Sequence, residues 1–210
     1  MPREKVYGQP TKECSTKALL SAPRCVFSAA THTKALKTAF LRENNILALE
    51  GLRNEDITLS AMIIHHAKSY DRYNYVVHAY RRSNISSLSA RAENSIEIAT
   101  DVLKQFHLLL SNEEYKNDRN VLDFLASPFV YWLGKIIRAS CTADKAYTAR
   151  INAEIKAGSG YFYVLRYSSR PYVRAVGIIQ KLFGTRFVIF LIRAYLTVNR
   201  RHMLSVRRKL

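Results

Sequence analysis

Two adjacent carboxylates, Glu55 and Asp56, are the residues of this chain best placed to do chemistry. They follow Asn54 and precede the apolar series Ile57, Ala61 and Ile64. That spacing predicts a helix that begins at the pair, with Asn54 as its cap, and runs to about residue 70. At a helix start, unpaired backbone N–H groups and the positive end of the dipole favour charged carboxylates. A carboxylate held ionised can take the proton from a hydroxyl as its oxygen attacks an electrophilic carbon. Acidic residues in a first turn also stabilise a helix by about 0.3–1 kcal/mol each with no chemistry at all. On its own, the pair leaves both roles open.

The elements around the pair set its frame. Residues 1–30, with Pro2, Pro10 and Pro23, read as an irregular flank. From Thr31, apolar residues recur at helical spacing as far as Asn44 and Asn45, and 46–49 is a short apolar run, strand or extended. Residues 73–80 alternate, with Tyr73, Tyr75 and Val77 on one face and Asn74, Val76, His78 and Tyr80 on the other, which predicts a strand. A polar loop over 81–89 follows. Helical periodicity then covers roughly 90–111, 119–140 with a kink or break before Pro128, and 142–157, ending at a Gly158-Ser159-Gly160 link. The expected fold is mainly α with a small β element made of 46–49 and 73–80, the helix of Glu55 between them. Four regions result: 1–30, 31–90, 91–160 and 161–210.

Charge separates these regions. The formal net charge is +17, and after Gly160 there are eleven basic residues and no acidic one, whereas 41–160 is nearly balanced. Arg186, Arg193, Arg200 and Arg207 recur every seven residues, a slowly drifting helical stripe, with Phe187, Phe190, Leu191 and Ala194 largely off it. Phe183, Phe187 and Phe190 interleave the basic residues. A helix of this kind suits an anionic membrane surface, arginines on head groups and rings at the acyl boundary. No uninterrupted apolar run reaches the roughly 18 residues of a spanning helix, the run 187–192 being cut by Arg193. Cys14, Cys25 and Cys141 form no C-x-x-C pair, which disfavours a disulfide framework or a zinc site. The expected location is cytoplasmic, peripheral on the inner face of the cell membrane.

Four short pieces then stand in order: Phe40-Leu41-Arg42-Glu43-Asn44-Asn45-Ile46, Glu50-Gly51-Leu52, Asn54-Glu55-Asp56-Ile57, and Tyr80-Arg81-Arg82-Ser83-Asn84-Ile85-Ser86. The series resembles the second half of bacterial family-2 glycosyltransferases of the GT-A type, over about residues 24–90. The resemblance implies the C-terminal half of a GT-A α/β fold followed by a helical extension. It implies transfer of a sugar from a nucleotide sugar to a glycan or lipid-linked acceptor. Asp56, with Glu55 beside it, matches the acidic pair at which the family places its catalytic base. Tyr80, Arg81, Arg82 and Ser86 match the region near donor and acceptor, where an arginine fork can hold phosphate oxygens. His78 stands where the family often has Tyr. The family's first half carries an Asp-x-Asp metal site, and this chain has no Asp-x-Asp. The resemblance therefore implies no metal ligands and no cofactor in this chain. Divalent Mg or Mn is expected only with a donor-binding half from a partner chain, unless the chain is a split, truncated or inactive form.

Other patterns carry less. His65 and His66 invite a metal reading, but adjacent helical residues project about 100° apart, and no further ligands accompany them in sequence. Asn84-Ile85-Ser86 fits a glycosylation sequon that matters only in a secretory compartment. Ser86, Ser87 and Ser89 lack a G-x-S-x-G elbow. The alternative function is a non-catalytic basic helical module binding membrane surface or nucleic acid, consistent with a pI near 10. Nucleic acid is disfavoured because large apolar residues interleave the basic ones of the tail.

Overall fold

The structure is a computed structural model. It describes residues 34–68, 95–140 and 145–207, the backbone alone at 95, 138–140, 145–147, 193 and 195–207. Among the described residues seven α-helices and one 3₁₀ segment follow in order. They are α1 (Thr38–Glu43), α2 (Asp56–His66), α3 (Ser95–Leu110), α4 (Glu113–Asn117), α5 (Arg119–Ser140), α6 (Lys145–Gly158), the 3₁₀ segment Ser159–Tyr167, and α7 (Pro171–Arg207). The fold is mainly α, and no strand occurs among the described residues.

Helix α5 is the centre of the bundle because it turns one broad apolar face, about 160° wide, to its neighbours. Val121, Leu122, Leu125, Ala126, Phe129, Trp132, Leu133, Ile136 and Ile137 are all buried, and α5 touches α2, α3, α4, α6, the 3₁₀ segment and α7. Phe129 sits in the middle: its ring stacks on Trp132 at 4.9 Å and meets Phe162 at 5.0 Å and Phe106 at 5.7 Å. Each such buried side chain contributes about 1.5–3 kcal/mol through water release. That packing explains why α5 runs unbroken through Pro128, where the sequence predicts a kink or break. Proline removes one helical hydrogen bond, but the buried neighbours Leu125, Phe129 and Trp132 hold the helix on both sides of it.

The Gly158-Ser159-Gly160 segment is not a loose link. Gly158 lies against the Trp132 indole, where a Cβ would collide with the ring, and the chain passes directly into the 3₁₀ segment. Residues 46–49 run without forming a strand. Buried Ile46 instead donates its N–H to the Leu41 carbonyl at 2.9 Å, closing the turn after α1. Helix α1 starts at Thr38 rather than Thr31, and α2 ends at His66. The five-residue α4 is missed by apolar periodicity because it buries no residue; it is set by Asn112, whose side chain accepts from the Glu114 N–H at 2.8 Å. The strand expected over 73–80 lies outside the described residues.

Candidate functional site

Helix α2 presents the acidic pair. Asp56 is its first residue and Glu55 stands just before it. The role of Asn54 differs from the cap that the sequence suggests: Glu55, not Asn54, occupies the N-cap position, and the Glu55 side chain makes no capping bond. In Asn54 it is the main chain that acts. Its backbone adopts φ 60°, a left-handed conformation that asparagine tolerates better than most residues. Its carbonyl accepts from the Ile57 N–H at 3.0 Å, and its Nδ2 is buried without a protein partner. Asn54 is thus a turn-former that swings the chain into α2.

Residues on both sides of the pair are tied to α3 by one buried side chain. Gln105 is fully buried; its Oε1 accepts from the Thr58 hydroxyl at 2.9 Å and from the Thr58 N–H at 3.3 Å. Its Nε2 donates to the Arg53 carbonyl at 2.9 Å. The Arg53 N–H reaches Asp101 Oδ2 at 3.4 Å, and its guanidinium lies 3.9 Å from the same carboxylate. Positions 53 and 58 are therefore both anchored to α3, which holds the helix start between them. A glutamine among Val102, Phe106 and Leu109 on an apolar face was the signal available in the sequence: a buried amide is hydrogen-bonded as a rule.

Glu55 is exposed and Asp56 half-buried. Facing Asp56 is Lys34, whose Nζ donates to Ser60 Oγ at 3.3 Å, one turn along α2. Burial lowers the Lys34 pKa, and the negative charge of Asp56 opposes that shift. The pair is thus an exposed carboxylate beside a half-buried one that has a cation for company.

Tyr80, Arg81, Arg82 and Ser86 lie outside the described residues. Arg186 is exposed on α7, and Arg193, Arg200 and Arg207 fall on the backbone of the same helix. Contrary to the reading of short apolar runs, Pro171–Ile192 is long and apolar enough to cross a membrane, with mean hydropathy 1.7 over its best window.

Two further clusters come together only in three dimensions. His65 Nδ1 lies 2.7 Å from Asp118 Oδ2, and its Nε2 is 3.8 Å from Glu114. The rings of His66 and Tyr115 pack edge-on against His65. Asp118 is also the cap of α5, its Oδ1 accepting from the Asn120 N–H at 2.7 Å and the Val121 N–H at 3.3 Å. The second cluster lines an open cavity of about 690 Å³ bounded by Leu49, Leu52, Leu103, His107, Glu154 and Tyr161. There, Glu154 accepts from the Thr100 hydroxyl at 2.7 Å, and the Tyr161 hydroxyl lies 3.3 Å from His107 Nδ1. Burial raises the Tyr161 pKa.

Family models, curated proteins and solved structures give no match to this chain. The functional reading therefore rests on the chain's own residues. Among the described residues no group of three or more His, Cys, Asp or Glu is arranged to hold a metal ion.

Proposed function

We propose that this chain is the acceptor side of a sugar transferase of the GT-A, family-2 kind, working with a donor-binding half supplied by a partner chain. The observation that carries the reading is the acidic pair, which opens α2 on a helix start tied to α3 at Arg53 and Thr58. In this reading Asp56 takes the proton from an acceptor hydroxyl as that oxygen attacks the anomeric carbon of the nucleotide sugar. Glu55 orients its neighbour, and Arg81 and Arg82, with Tyr80 and Ser86, meet the donor phosphates and the acceptor. In this reading divalent Mg or Mn belongs to the donor-binding half, and no step of this chain is assigned to it.

The test is sugar transfer from a panel of radiolabelled nucleotide sugars by this chain together with a GT-A donor half, expressed separately or fused. Loss of a positioned general base lowers rate by about 10²–10⁴, and Asp56→Asn should do so while Glu55→Gln costs less. Robust turnover by the chain alone would sink the half-enzyme reading, and full activity of Asp56→Asn would remove Asp56 from the role of base.

The second reading, a non-catalytic basic module, is favoured by one observation: α7 turns large apolar residues such as Leu182, Phe183 and Phe190 outward beside exposed cations, in a segment that carries no acidic residue. Its discriminating result is membrane binding with no transfer activity in any combination.

A further inference from the structure

Helix α7 is bent at a single residue. Gly184 has φ 83° and ψ 167°, a conformation open essentially to glycine alone, and it divides the helix into arms 171–183 and 185–207. The bend is braced from both sides: Gln180 Nε2 donates to Thr185 Oγ1 at 3.2 Å, and the Phe183 and Phe187 rings pack at 5.0 Å. Around this elbow apolar side chains point outward, with Leu182 70%, Phe190 64% and Phe183 62% exposed and Phe187 beside them. Lys181 and Arg186, one on each side of Gly184, are exposed as well.

Both arms hold the bundle by their other face. Val173 is buried, and Gly177 lies so close to the 3₁₀ segment that a Cβ there would come within 2.8 Å of the Arg166 nitrogen. Beyond the elbow, Val188 and Ile189 are buried too. These contacts decide between crossing a membrane and lying on it. A straight 22-residue helix would be about 33 Å long and could cross a hydrocarbon core of about 30 Å. The first arm reaches only about 20 Å before the chain turns, and crossing would strip Val173, Gly177, Val188 and Ile189 from the core.

We infer that the Gly184 elbow is a membrane wedge: Leu182, Phe183, Phe187 and Phe190 enter the acyl boundary of an anionic bilayer while Lys181 and Arg186 meet its head groups. Charge complementarity selects the occupant. No acidic residue follows Gly160, so a protein or second copy docking here would have to bury cations beside its apolar contact, whereas a lipid surface leaves them at phosphates. The inference names a partner for the chain and does not rest on the transferase reading, since lipid binding needs neither Asp56 nor a donor half.

The experiment is co-sedimentation of the full chain with vesicles of equal parts phosphatidylcholine and phosphatidylglycerol, and with phosphatidylcholine alone. The chain should pellet with the mixed vesicles. Replacing Leu182 and Phe183 by Ser should lower partitioning about 30-fold, from the apolar surface no longer withdrawn from water. Lys181→Glu with Arg186→Glu should lower binding to mixed vesicles about tenfold or more. The altered side chains are exposed, so far-UV circular dichroism and the emission of Trp132 should stay unchanged. Trp132, the chain's one tryptophan, is buried in the bundle and reports no lipid. In Phe183→Trp the new fluorophore should be quenched by lipids brominated near the head group, and less by those brominated near the chain ends. Binding by the Leu182/Phe183 variant equal to that of the parent overturns the wedge. So does strongest quenching from chain-end bromines, which marks a spanning helix, or self-association of a chain that ignores vesicles.

Discussion

Adding a single methyl at Gly158 tests how the bundle is closed. The new Cβ would collide with the Trp132 six-membered ring and stand 3.1 Å from its Cζ3. Trp132 cannot withdraw, because it is fully buried and stacked on Phe129, which is itself enclosed by Phe106 and Phe162. Overpacking of this kind costs about 1–3 kcal/mol. Against it stands the helix-propensity gain of alanine over glycine, about 1 kcal/mol in a helix interior and less at a last residue such as 158. Gly158→Ala should therefore destabilise the protein by about 1–2 kcal/mol. The assay is urea unfolding followed by far-UV circular dichroism, the midpoint falling at unchanged slope. Trp132→Phe alone should also destabilise by leaving a cavity, but in the double variant the smaller ring gives the methyl room. The double should then be more stable than the sum of the singles by about 1–2 kcal/mol. Strict additivity, or a Gly158→Ala protein as stable as its parent, would refute the argument that the indole and the helix end share one closed space.

Other consequences follow from the polar contacts. Asp118→Ala removes both the cap of α5 and the partner of His65 and should cost about 2–3 kcal/mol in urea unfolding, while Asp118→Asn, which keeps an acceptor, should cost about half that. Gln105→Ala strands the Thr58 N–H and the Arg53 carbonyl and should destabilise by about 2–4 kcal/mol; faster amide exchange at residues 53–58 than in α5 would show the loss to be local to the acidic pair. Burial first, then the charge of His65, lowers the His66 pKa from 6.5, with Glu114 opposing. Unfolding thus takes up a proton below that pH, and stability should fall as pH drops through 6.5 and level off beneath the lowered folded value. His66→Asn should flatten that slope, and an unaltered slope would assign it to other groups.

Much of the helical frame was legible in the sequence, and the reason is periodicity. Residues such as Ile96, Ala99, Val102, Phe106 and Leu109 recur at spacings that only a helix can gather on one face, and they are buried together. The start of α2 at Asp56 was legible for the same reason. Local turn chemistry was less so. Asn54 suits a cap and a left-handed turn equally by type, and the competition was decided by how the chain must leave the loop held by Gln105. The run 46–49 has strand composition, but no neighbouring strand stands beside it among the described residues. Pro128 predicts a break wherever packing does not override it, and here packing does. The His65–Asp118 contact joins residues 53 apart in the chain, a separation at which no pattern of single residues carries information.

The position of α5 at the centre of the bundle also bears on how the chain is made. Synthesis delivers residues at about 5–20 per second from the N-terminus, and α2 and α3 emerge before any of α5. Until Ser140 has left the ribosome, Ile57, Ile64, Val102 and Phe106 have no Leu125, Phe129 or Ile136 to pack against. For several seconds the nascent chain therefore displays two apolar helical faces to its surroundings. A chaperone that binds amphipathic helices has its opportunity then, and a ribosome stalled before α5 would release a fragment with nothing on which to close.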